Sequence, residues 1–137
     1  MSVIVDSSVW IDCFNPKVKT SEKEILVQLI EKDYPIYLCP IIYQEVLQGI
    51  RDDRMFEKIK HIFQQYRMIN MDLLHVTNHA IDLYRRLRKK GITIRKSVDC
   101  LIASYAILTD MNLLHNDDDF TKISQGCNIK IYKVNSK

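Results

Sequence analysis

Four stretches of this chain set a carboxylate where the local pattern changes or is interrupted. Asp6 follows the apolar run Val3-Ile4-Val5, and Asp117-Asp118-Asp119 come shortly after Leu113-Leu114. Glu45 and Asp99 each lie early in an apolar, helix-like pattern, Glu45 beside Val46 and Leu47 and Asp99 among Val98, Leu101, Ile102 and Ala103. A bare carboxylate in such surroundings is costly, and the ordinary remedies are a partner cation, protonation or a bound metal. Four carboxylates gathered about 4 Å apart would repel by about 4 kcal/mol per pair near a protein surface, which implies something positive between them. Oxygen-only donors select hard cations, Mg²⁺ or Mn²⁺. Such ions generate a nucleophile from water and stabilise charge on the leaving oxygen of a phosphodiester, so the chemistry implied is hydrolysis. Each acid also has a plain structural reading. Asp6 can be a turn or cap residue, Glu45 a solvated helix residue, Asp99 a charge complementing a helix dipole, and Asp117 to Asp119 caps of the helix leading to Ile123.

The elements that must position these acids alternate along the chain. Val3 to Val5 is short, apolar and β-branched, the pattern of a strand buried on both faces of a parallel sheet. Ser21 with Glu24 forms a capping-box pattern ahead of Ile25, Leu26, Leu29 and Ile30, predicting a helix over about 22–32 that Tyr34-Pro35 ends. Ile36 to Cys39 is the second strand, and a helix runs from Pro40 to a stop at Gly49, with Glu45 about one turn inside it. Arg54 to Tyr66 reads as a helix with Met55, Ile59, Ile62 and Phe63 on one face, followed by a weak strand near Met68 to Asn70. Thr77 or Asn78 is the expected cap of a long helix through Lys90, ended by Gly91, and a further helix begins at a Ser97 cap. Leu113-Leu114 forms another strand, and Ile129, Ile131 and Val134 mark a closing one. This alternation predicts the α/β class, with a parallel sheet covered by helices on both faces. Ligands of such sheets bind outside the carboxyl ends of the strands, where strand order reverses. Asp6 and Asp117 to Asp119 both point there.

With 137 residues the chain is expected to form a single domain spanning 1–137. Twenty Lys plus Arg against 17 Asp plus Glu give a formal charge of +3, a balance that permits nucleic-acid binding without arguing for it. Cys13, Cys39, Cys100 and Cys127 are widely spaced and form no CxxC pair, so they read as reduced thiols of a cytoplasmic protein. No apolar stretch reaches the ~20 residues of a membrane span, and Val3 to Asp6 lacks the features of a secretory signal.

Together, the order and context of the acids resemble the PIN-domain family, specifically the VapC-like toxins of bacterial toxin-antitoxin pairs. Four segments carry the resemblance, which covers essentially the whole length. They are Val3-Ile4-Val5-Asp6-Ser7-Ser8-Val9-Trp10-Ile11-Asp12, Glu45 within Pro40 to Gly49, Ser97-Val98-Asp99-Cys100-Leu101-Ile102-Ala103, and Leu113-Leu114-His115-Asn116-Asp117-Asp118-Asp119-Phe120. The resemblance implies a three-layer α/β/α PIN-like fold around a parallel sheet of four to five strands, and acids that bind Mg²⁺ or Mn²⁺ and cleave RNA. Position by position, Asp6, Glu45, Asp99 and Asp117 match the catalytic, metal-binding quartet. Asp119 matches a second acid of the final motif as a further ligand, Ser8 a small polar residue lining the site, and Asn116 a supporting one. The additional Asp118 leaves the fourth ligand open among Asp117, Asp118 and Asp119. By the same resemblance the chain would form a homodimer and be held inactive by a cognate antitoxin protein.

For the surfaces, Arg85, Arg86, Arg88, Lys89, Lys90, Arg95 and Lys96 form the densest basic stretch. Of these, Arg88, Lys89, Arg95 and Lys96 are candidates for holding an RNA backbone, against the plainer reading of a solvated helix face. Tyr43, Tyr66, Tyr84 and Phe120 could stack unpaired bases or belong to the core. His75 and His79, four apart, lack the Glu of a zinc-protease motif. Trp10, Ile11, Phe14 and the helix from Arg54 to Tyr66 are candidates for an antitoxin-facing surface or for core packing. The aspartyl-phosphate phosphatases also begin with a strand ending in Asp, but they need a second acid two residues later, where this chain has Ser8. Other readings are a PIN-like nuclease of RNA maturation or DNA cleavage, and a catalytically silent PIN scaffold binding RNA or protein.

Overall fold

The computed structural model describes residues 2–133. The elements run β1 (Val3–Val5), α1 (Ser7–Cys13), α2 (Ser21–Glu31), β2 (Ile36–Leu38), α3 (Pro40–Gln48), α4 (Asp53–Phe63), β3 (Arg67–Met68), α5 (Leu73–Lys89), α6 (Ser97–Thr109), β4 (Asn112–Leu114) and α7 (Asp118–Gly126). The four strands form one parallel sheet in the order β3-β2-β1-β4. Its centre is β1, in register with β2 through Val3 opposite Ile36 and with β4 through Val5 opposite Leu114. All three β1 residues are fully buried, which explains why the strand is a run of β-branched residues instead of an alternating pattern. Helices α1 to α4 pack among themselves, as do α5 to α7, with α3 and α6 touching between the two groups. The result is a mixed α/β fold with helices flanking the sheet.

Strand order makes β1 the point of reversal. The chain steps from β1 outward to β2 and β3, then returns to add β4 on the other side of β1. The gap at the carboxyl edge between β1 and β4 is therefore the switch point of the sheet. Asp6 leaves β1 into this gap, its N–H bonded to the Leu114 carbonyl at 2.9 Å, and enters α1 at once. Trp10 of α1 is 1% exposed and packs against Phe63 and Tyr66 at ring separations of 5.0 and 5.5 Å, tying α1 to α4 and the chain beyond it.

Several element boundaries differ from the sequence expectation. The cap of α2 is Thr20, whose hydroxyl accepts from the Lys23 N–H, while Ser21 is the first helical residue and points its hydroxyl at Glu22. Helix α5 starts a turn earlier than expected because Asp72, not Thr77 or Asn78, caps it through the His75 N–H at 3.0 Å. Ser97 is likewise the first residue of α6; its N-cap is Lys96, which makes no side-chain cap bond. β3 lies at Arg67–Met68, slightly before the expected segment. The closing strand is reduced, among the described residues, to one parallel bridge between Leu113 and Ile131, and Val134 lies outside them. Cys39 and Cys100 are buried and Cys13 and Cys127 partly so; all four are free thiols. No described helix is long and apolar enough to cross a membrane.

The capping assignment of α5 is testable by unfolding in urea. Asp72→Ala is expected to lower stability by about 1 kcal/mol. Asn78→Ala, at an exposed mid-helix position, is expected to stay within about 0.5 kcal/mol of wild type.

Candidate active site

Asp6, Glu45, Asp99 and Asp117 line one open cleft of about 320 Å³, together with Ser7, Ser8, Ile11, Gln48 and Lys96. Their positions follow from the edge of the sheet. Asp6 is the N-cap of α1 and is 3% exposed; its Oδ2 accepts from the Ser8 hydroxyl at 2.6 Å and the Ser8 N–H at 3.2 Å. Glu45 projects from the second turn of α3, and its Oε1 accepts from the Ser7 hydroxyl at 3.1 Å. Asp99 is the third residue of α6 and is 4% exposed. Asp117 caps α7 through the Asp119 N–H at 3.0 Å, and its own N–H donates to His115 Nδ1.

Among the three consecutive aspartates, the helix start decides the roles. Asp117 is half-buried at the cap, Asp118 faces solvent, and Asp119 turns inward to complete burial. One carboxylate oxygen each from Asp99, Asp117 and Asp119 lies within 4.8 Å of the others, the closest acidic grouping among the described residues. Asp99 Oδ2 and Asp119 Oδ2 are buried without any hydrogen-bond partner. Buried carboxylate oxygens are ordinarily satisfied, so two unpartnered ones in a three-carboxylate group fit a hard cation.

The electrostatics point the same way. Burial, with Asp117 and Asp6 adding their charge, pushes the Asp99 carboxyl up to about 7. Burial also raises Asp6, against the lowering effect of its Ser8 bonds, and raises Glu45. For Asp117, burial works upward, but the Asp119 N–H and the Lys96 ammonium outweigh it and its carboxyl is lowered. Lys96 is raised in turn by Asp117 and Asp99. Two cations reach these acids: Lys96 Nζ lies 3.5 Å from Asp117 Oδ2, and Arg95 Nε lies 3.4 Å from Asp119 Oδ1. Both contacts are longer than a strong charge-assisted bond of about 2.7–2.9 Å, and both cationic side chains are more than half exposed. Among the described residues, five carboxylates face two cations, so acidic groups outnumber basic ones in the cluster.

Other expected surface residues divide. Arg95 and Lys96 reach the acids, whereas Arg88 and Lys89, in the last turn of α5, do not line the cleft, and Arg88 lies over the Tyr84 ring. Phe120 is fully buried, and Trp10 belongs to the core, so neither is available for stacking bases or facing a partner. Ile11 remains half exposed. His79 bonds the buried Ser104 hydroxyl at 2.8 Å. Residues that sequence reasoning passed over include Ser7, which holds Glu45, and Asp12, whose Oδ2 accepts from the Asn116 amide at 3.0 Å. Asn116 also donates its N–H to the Ser8 hydroxyl, so Asp12, Asn116, Ser8 and Asp6 form one chain of bonds. The doubled serine after Asp6 was the available signal for Ser7; nothing local announced Asp12.

A parallel sheet with an acid-lined cleft at its switch point defines an α/β domain whose carboxylate cluster could hold a metal ion. The sequence profile of the PIN domain matches residues 3–126, and the chain belongs to that family. It is similar to a VapC ribonuclease of Mycobacterium bovis and to the ribonuclease VapC11 of Mycobacterium tuberculosis. Each is 29% identical over 128 residues, covering 93% of this chain and 96% of the relative. Among solved structures it resembles VapBC2 from Rickettsia felis bound to a promoter DNA fragment, with a TM-score of 0.75, 19% identity and coverage of 96% and 98% of the two chains. FitAcB from Neisseria gonorrhoeae gives a TM-score of 0.68 at 13% identity, with 96% of each chain covered. These likenesses establish the fold.

The raised Asp99 carboxyl gives a prediction for the protein in chelator. The unfolded chain ionises Asp99 near its ordinary 3.8, the folded protein only near 7, so this group costs folding stability as pH climbs between those values. Asp99→Asn is expected to melt at the same temperature as wild type near pH 4, then at a higher one, the gap opening up to about pH 7 and holding constant beyond it. A lower melting temperature for the variant at pH 8 would show that the carboxylate serves structure instead.

Proposed function

We propose that this chain is a metal-dependent endoribonuclease that hydrolyses RNA phosphodiester bonds and acts as the toxin of a toxin-antitoxin pair. The observation that carries the proposal is the convergence of Asp6, Glu45, Asp99 and Asp117 on one cleft, with buried Asp99 and Asp119 oxygens left unpartnered. Membership of the PIN family and likeness to VapC ribonucleases over nearly the whole length support the substrate class. Mg²⁺ or Mn²⁺ would be held by Asp99, Asp117 and Asp119, whose oxygens group together, with Asp6 and Glu45 lining the same cleft as Asp99 and Asp117. When bound, it supplies charge neutralisation and Lewis acidity for phosphoryl chemistry.

The chain's own residues supply the geometry. Ser7 and Ser8, successive residues of the first helical turn, fix one oxygen of Glu45 and one of Asp6. This fixes two carboxylates before substrate arrives, so little reorganisation remains during reaction. Asp117 is aimed by the bond from Asp119 N–H, and Asn116 keeps the β4–α7 turn against Ser8. Asp118 takes no part. The fourth ligand is therefore Asp117, with Asp119 behind it. Arg95 and Lys96 are the proposed RNA contacts at the cleft; Arg88 and Lys89 extend the positive path only at a distance.

We further propose that residues 1–137 act as one nuclease unit in the cytoplasm, form a homodimer and are restrained by a cognate antitoxin protein. The solved VapBC and FitAcB complexes support a partner of that kind. Asp6→Asn and Asp99→Asn keep side-chain shape and remove the charge that holds the cation. In an assay of Mn²⁺-stimulated cleavage of structured RNA, each is expected to drop at least about a hundredfold, to background. Mn²⁺ is also expected to raise the melting temperature of wild type and to leave that of Asp99→Asn nearly unmoved. Cleavage by either variant at the wild-type rate would rule out the assignment.

A further inference from the structure

We propose that Lys96 is the resident counter-cation of the acidic cleft, displaced from Asp117 by the divalent ion and thereby freed to grip a non-bridging phosphate oxygen of the RNA. The inference rests on the metal-dependent ribonuclease reading above and adds to it an exchange of partners at one side chain. Lys96 is the one basic residue lining the cleft, and it sits three positions before Asp99 at the mouth of α6. At the N-cap of that helix its ammonium has no acceptor to offer the helix N–H groups, and among the described residues its single ion pair is the 3.5 Å contact to Asp117 Oδ2. Asp117 is 17% exposed, whereas Lys96 is 56% exposed. The carboxylate is thus held in place while the ammonium swings from solvent.

Such a pair is made to be exchanged. Exposed single-contact ion pairs contribute about 0–1 kcal/mol, little enough for a better cation to replace them. A divalent ion seated at about 2.1 Å from a carboxylate oxygen attracts it roughly three times as strongly as a single charge at the distance Lys96 keeps. Both cations cannot share Asp117 without repelling one another. Once displaced, the ammonium stays tethered by a four-carbon stem at the rim, a compact charge of the kind that binds phosphate. Lys96 therefore opposes metal binding while favouring RNA binding, and removing its charge moves the two in opposite directions. A purely structural lysine would weaken both on removal, and a bystander would change neither.

The test uses the full chain as wild type, Lys96→Met and Lys96→Arg, with thermal unfolding confirming that each is folded. Calorimetric titration with Mn²⁺ alone, without RNA, is expected to show about fivefold tighter binding for Lys96→Met. With single-stranded RNA, the same variant is expected to show a KM about tenfold higher. Its slope of log kcat/KM against log salt should be shallower by about one phosphate contact. Lys96→Arg, which keeps the charge on a different head group, is expected to recover part of what Lys96→Met changes in both measurements. Unchanged or weaker Mn²⁺ binding by Lys96→Met, or an unchanged KM, overturns the role assigned to Lys96. If wild type itself neither binds Mn²⁺ nor cleaves RNA, the ribonuclease reading falls and takes this inference with it. If wild type does both, only the inference is at stake.

Discussion

Like charges brought together in a half-dry cleft govern this structure. Carboxylates about 5 Å apart repel by about 3 kcal/mol at an effective dielectric of 20; oxygens of Asp99, Asp117 and Asp119 lie within 4.8 Å of one another, and Asp6 and Glu45 line the same cleft. Hydrogen bonds from Ser7 and Ser8 hold Glu45 and Asp6, the start of α7 and Lys96 hold Asp117, and Arg95 reaches Asp119 at 3.4 Å. Burial first, and the charges of Asp117 and Asp6 after it, push the Asp99 carboxyl up to about 7. Protonation of Asp99 or a bound cation each relieves such an arrangement.

The surrounding elements can be understood as what it takes to hold that arrangement rigid. Strand β1 is central and wholly buried, so Asp6 leaves a fixed point. Trp10, one helical turn further on, locks α1 against Phe63 and Tyr66 and thereby keeps Ser7 and Ser8 aimed. On the far side, Asn116 ties the turn after β4 to Ser8 and Asp12, joining the two halves of the site across the strand reversal. Asp99 sits in the first turn of α6, where the positive end of the helix favours its charged form while burial opposes it.

Much of this was legible in the sequence because burial leaves a plain mark. A β-branched run ending in Asp, and an Asp interrupting an apolar helix, identify edge positions whatever the fold. The helix starts were less legible, since hydrophobic periodicity marks only the buried face. Leu73 and Leu74 are exposed, so the apolar stripe of α5 starts at Val76 and suggested a cap one turn too late. The choice among Asp117, Asp118 and Asp119 turned on helix phase, and a shift of one residue swaps a buried carboxylate for a solvated one. Asp12 acts across the fold on Asn116, and a partner that distant in sequence leaves no local pattern.

The strand order carries a consequence for synthesis. Because β4 and Asp117 come late in the chain yet sit beside β1 and Asp6, which come first, a polypeptide still emerging from the ribosome has only one wall of the cleft. The cleft is therefore complete only once β4 has docked beside β1, and a chain ending before β4 lacks Asp117 and the wall it forms.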